Sequence, residues 1–175
     1  MLRTRRSAPI ALLLAALAAC HDGSPTSAQV LENTLVFTRA DGSKISFNGG
    51  TEAWCGPWEK GYDERPAVHV RAFNTLNTGG WMLTAALADI HAGAPQAFPA
   101  QQPGQPSSTN FFVYDPPNEL SSDELHSTGS ITFTSVPCAG SDEVAFTIDA
   151  TLDSELHDLP PITVKGSFRA QTVDR

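Results

Sequence analysis

Val144, Phe146, Ile148, Ala150 and Leu152 alternate with Ala145, Thr147, Asp149, Thr151 and Asp153, a period of two that places one set on a single face of an extended strand. Ile162, Val164, Gly166 and Phe168 repeat the pattern against Thr163, Lys165, Ser167 and Arg169, and Ile131-Thr132-Phe133-Thr134 gives a shorter version. Such alternation belongs to antiparallel strands with one face in a core. Nearer the start, Leu35–Arg39 and Ser43–Phe47 flank Ala40-Asp41-Gly42, a hairpin signal in which the glycine supplies the positive φ of a tight turn. Thr51–Trp58 reads as a short strand ending at Gly56-Pro57, Lys60–Pro66 as a polar loop, and Val68–Ala72 as a strand with His69 and Arg71 on a wet face.

Trp81–Ile90 is ambiguous between strand and short helix. Strand is preferred, because Gly79-Gly80 offers a turn and no side-chain cap. Ala94–Ser108, rich in Pro, Gln, Gly and Ser, is expected to be a long surface loop, and Asn110–Tyr114 a strand stopped by Asp115-Pro116-Pro117-Asn118. The sum is an all-β domain of eight or nine short strands. An antiparallel β-sandwich is the expected architecture and a closed β-barrel the second choice.

The pattern breaks at the N-terminus, where Arg3, Arg5 and Arg6 precede an unbroken apolar run from Ile10 to Ala19. About ten apolar residues cannot span a hydrocarbon core that needs roughly 20. The run therefore reads as a signal peptide for general secretion. It ends in Leu17-Ala18-Ala19-Cys20, which resembles a bacterial lipobox. That resemblance implies that Cys20 receives diacylglyceryl and becomes the mature N-terminus; an ordinary secretory signal without lipidation and a buried N-terminal helix are the alternatives. Residue 21 is His, not the Asp that retains resembling lipoproteins at the inner membrane, so a lipid-anchored protein of the outer membrane is implied. Residues 1–19 are then the signal, 20–33 a lipidated cysteine with a flexible Gly/Ser/Pro/Thr tether, and 34–175 the domain.

Loss of the three signal arginines changes the formal charge from −8 to −11, which opposes nucleic acid as a partner. Membrane contact is expected through the lipid, and a monomer is expected. Cys55 and Cys138 remain as an even pair in an oxidising compartment and are expected to form a disulfide.

Chemistry has few places to reside. Asp123-Glu124-Leu125-His126 and Asp153-Ser154-Glu155-Leu156-His157-Asp158 form a near-repeat; if the segments met, Glu124, His126, Glu155 and His157 would offer a zinc-type ligand set. Two acidic loops sharing letters is the plainer account, and no cofactor is expected. Trp54, Trp58 and Tyr62 form a candidate aromatic platform for a sugar or other flat ligand, the alternative being a tryptophan packed over the disulfide. His69 reads as a solvated strand residue. Nucleophile motifs such as Gly-x-Ser-x-Gly, Ser-x-x-Lys and His-Glu-x-x-His are missing from the sequence, so a hydrolase with an unrecognised site ranks last.

Ser127–Thr134, Val144–Ala150 and Val164–Phe168 together resemble the closing strands of small β-sandwich domains of unknown function in bacterial lipoproteins. This resemblance implies the sandwich fold and no activity. The expected function is a non-enzymatic, membrane-anchored binding or envelope-structural module for a protein or glycan partner.

Overall fold

The computed structural model describes residues 28–76, 78–99, 106–138, 142–154 and 159–173. The lipobox, the signal run, and Glu155 and His157 lie outside these. Among the described residues twelve strands are formed and no helix. They are β1 (Val30–Asn33), β2 (Val36–Arg39), β3 (Lys44–Ile45), β4 (Thr51–Glu59), β5 (Asp63–Phe73), β6 (Gly80–Ala86), β7 (Pro95–Ala97), β8 (Thr109–Asp115), β9 (Asn118–Ser121), β10 (Thr128–Ser135), β11 (Glu143–Ser154) and β12 (Ile162–Gln171).

Every pairing between named strands is antiparallel. One half of the molecule carries β7-β10-β11-β12 followed by β2-β3, with β1 on the far end of β12; the other carries β4-β5-β6-β8-β9. β11 is long enough to serve both. Its first part pairs with β10 and β12, while Asp153 and Ser154 pair with Ser121 and Leu120 of β9. On the opposite side the chain returns after β12, and Val173 N–H donates to the Ala53 carbonyl of β4 at 2.9 Å. The all-β antiparallel expectation is met, by a sheet that curls until its halves face each other.

The alternation read in the last third falls in the core. Phe146, Ile148, Leu152, Ile162, Val164 and Phe168 are all buried, and they meet Val68, Val70, Trp81, Leu83, Phe111 and Val113 from the other half. Trp81 stacks on Phe111 with centroids 5.4 Å apart and turns its edge to Phe168 at 5.2 Å, so one aromatic cluster spans both halves. Cys55 of β4 and Cys138 of the β10–β11 connection form a disulfide with Cα atoms 6.3 Å apart, a covalent tie across the same two halves. Arg39 of β2 adds a two-pronged contact to Asp115 of β8, at 2.6 and 2.8 Å.

Several expectations are corrected. The tether stops short of Asn33, because Val30–Asn33 pairs with β12 as β1. Lys60–Pro66 is mostly strand: the β4–β5 turn occupies only 60–62. β4 passes through Gly56-Pro57 by way of a register shift between Pro57 and Glu59. The stretch 94–108 contains β7, whose Pro95, Gln96 and Ala97 pair with β10, and it buries Phe98. Hydrophobic content was low there, but a free sheet edge on β10 recruits even a Pro-Gln-Ala segment to satisfy its backbone groups.

Candidate functional site

Because β5, β6 and β8 turn Val70, Leu83 and Phe111 inward, their intervening residues face outward in rows set by the ladder. Arg71 pairs with Met82, Met82 with Phe112 and Phe112 with Ser121. The next row runs Phe73, Gly80, Tyr114, Glu119. A glycine between two aromatic residues leaves a trough. It is bounded by Phe73, Met82, Phe112 and Tyr114 over Gly79 and Gly80, with Arg71 and Glu119 at its rim, and it encloses about 270 Å³.

Gly80 is dictated by the neighbouring strand. A Cβ there would come within 2.4 Å of the Ala72 carbonyl oxygen, so the close approach of β5 forbids any side chain. The trough continues along β6 into a second hollow of about 170 Å³, which shares Met82 and Phe112 and adds Trp58, Thr84 and Asn110. Met82 is 43% exposed and Tyr114 38%, so the outward face of this half presents apolar atoms to water.

Charge at the rim is of both signs. Arg71 donates to Glu52 Oε2 at 2.6 Å and lies 5.4 Å over Trp54 and 5.3 Å over Phe73, which fixes its planar head against the trough. Glu119 has no ion-pair partner among the described residues.

The predicted aromatic platform is divided. Trp54 and Trp58 share this outward face: Trp54 stacks on His69 with centroids 5.0 Å apart, and Trp58 sits under Arg65 at the end of the second hollow. Tyr62, 88% exposed in the β4–β5 turn, belongs to neither. Cys55 lies on the opposite side of β4 from Trp54, by strand alternation. His69 is not solvated. It is 9% exposed, its Nε2–H donates to the Pro57 carbonyl at 2.9 Å, and its Nδ1 accepts from Thr84 Oγ1 at 3.2 Å. The carbonyl can only accept, which assigns the proton to Nε2.

Of the proposed metal ligands, Glu124 and His126 occupy the β9–β10 connection, while Glu155 and His157 are outside the described residues. The two acidic segments do meet, since His126 Nδ1 lies 3.2 Å from Asp153 Oδ2. No group of three or more metal-ligating side chains is gathered among the described residues. Asp123, beside them, is half-buried; burial holds its carboxyl above the usual carboxylate range, against the opposing hydrogen bond from Ser107 Oγ at 2.9 Å.

Phe73, Met82, Phe112 and Tyr114 were not singled out from sequence. The available signal was that each occupies an outward position of an alternating run. No family model, curated protein or solved structure matches this chain.

Proposed function

We propose that this protein is a lipid-anchored envelope module that binds its partner on the outward face of β4, β5, β6, β8 and β9. The observation that carries the reading is the apolar trough over Gly80. Met82 and Tyr114, 43% and 38% exposed, forgo part of the burial that is worth about 1.5–3 kcal/mol for a whole large apolar side chain, a cost that a binding surface accounts for and a plain wet face does not. The anchor rests on the lipobox ending at Cys20 and its basic and apolar prelude. A non-enzymatic role is supported by the lack of Gly-x-Ser-x-Gly, Ser-x-x-Lys and His-Glu-x-x-His motifs in the sequence.

Metabolic labelling with an alkyne fatty acid tests the anchor. Label is expected on the wild-type protein and absent from Cys20→Ser, which should leave the membrane fraction; equal label on both contradicts it. A hydrolytic turnover abolished by a single substitution would contradict the non-enzymatic role.

A further inference from the structure

Resting on that reading, we infer that the trough is a subsite for a short neutral oligosaccharide whose rings lie along β6. Three observations select this ligand class. The first is length. The floor runs from Gly80 through Met82 to Thr84, about 13 Å at the usual rise per strand residue, and the two hollows share the Met82–Phe112 boundary, so the site is elongated rather than a pit for one group.

The second is the state of the backbone. β6 is paired with β5 on one side and β8 on the other, leaving no ladder edge beneath the trough. An extended peptide laid there would turn unpaired N–H and C=O groups toward apolar walls, at a desolvation cost. A pyranose has no such obligation. One face presents C–H groups polarised by neighbouring oxygens, which suit the electron-rich faces of Phe73, Phe112 and Tyr114, and its equatorial hydroxyls project sideways toward the rim.

The third is the rim itself. Arg71 and Glu119 at the first hollow and Asn110 at the second supply donors and acceptors along the length of the trough. Arg71 is already neutralised by Glu52, and the mature chain is strongly acidic, so a polyanionic glycan is repelled. Carbohydrate hydroxyls act as both donor and acceptor and match such a mixed rim.

The test is saturation-transfer difference NMR on the full mature chain carrying Cys20→Ser, with cellotetraose, maltotetraose and chitotetraose as separate probes. Transfer to ring C–H protons of at least one probe is expected. Tyr114→Ala and Phe112→Ala should each weaken binding about tenfold, the scale of one aromatic contact, while Tyr114→Phe retains it and Thr147→Ala, on the other half, has no effect. Silence from all three sugars, or transfer unchanged in both alanine variants, overturns the assignment. Binding of acetyl-Phe-Ala-Phe-amide at the same residues with the sugars silent would transfer the face to a peptide, overturning the glycan while leaving the binding face in place. If the trough is never covered in the envelope, the underlying reading fails instead.

Discussion

Asp123 shows how one half-buried carboxyl ties stability to pH. Burial raises its titration point above that of the unfolded chain, so the folded state holds the proton more tightly. The associated stabilisation is complete in acid, below the unfolded value, and is lost as pH rises through the folded one. Asp123→Asn keeps an acceptor for Ser107 Oγ and removes the buried charge. It is expected to raise the thermal midpoint at neutral pH, with the gain vanishing in acid; a constant or reversed difference between pH 3 and 7 contradicts this account. Phe111, fully buried and in contact with Trp81 and Phe146, makes the opposite point: Phe111→Ala should cost about 3–5 kcal/mol by denaturant unfolding. Tyr62→Ala, in an exposed turn, should change stability by less than about 0.5 kcal/mol.

At the scale of elements, β1 and β2 behave as one strand interrupted at Thr34-Leu35, since both pair with the same side of β12 and the register runs on from Asn33–Phe168 to Val36–Lys165. Gly166 permits the close approach there: its φ is 141°, and a Cβ on it would lie 2.4 Å from the Thr34 carbonyl oxygen. Thr34 and Ser167 exchange backbone and side-chain hydrogen bonds at the interruption. Gly166→Ala is expected to destabilise by roughly 1–3 kcal/mol, with hydrogen exchange rising first in β1.

The same scale explains what could be read in advance. β10, β11 and β12 were legible because each buries one face and exposes the other, so their period of two is written in the residue types. β1 and β7 were not, since four residues or fewer at an edge are held by a neighbour's free backbone groups rather than by their own pattern, and β9, flanked by β8 and β11, has only four residues in which to show a period. The trough was invisible for a further reason. Alternation says that Phe73, Met82, Phe112 and Tyr114 face outward; only the register of three separate strands says that they face outward together. Trp54 and Trp58 were found because one short strand, β4, carries both on its outward face, whereas Tyr62, equally close to Trp58 in sequence, is carried away by the turn.

For the whole molecule, the disulfide joins the two halves at points 83 residues apart, and Cys55→Ser with Cys138→Ser should cost about 4–5 kcal/mol on the loop-closure argument. The disulfide lies on the opposite side of β4 from Trp54 and so leaves the outward face over Gly80 uncovered. Met82 in that face is the sole methionine apart from Met1, which makes its thioether a reporter of whether the trough is covered. The most direct measurement is the rate of peroxide oxidation at Met82, in the purified protein and in its native envelope, using a Thr147→Met variant whose added methionine reports from the exposed face of the other half. A covered trough slows oxidation at Met82 in the envelope while position 147 reacts at an unchanged rate. Equal rates at Met82 in both settings would contradict the assignment of this face as the binding surface.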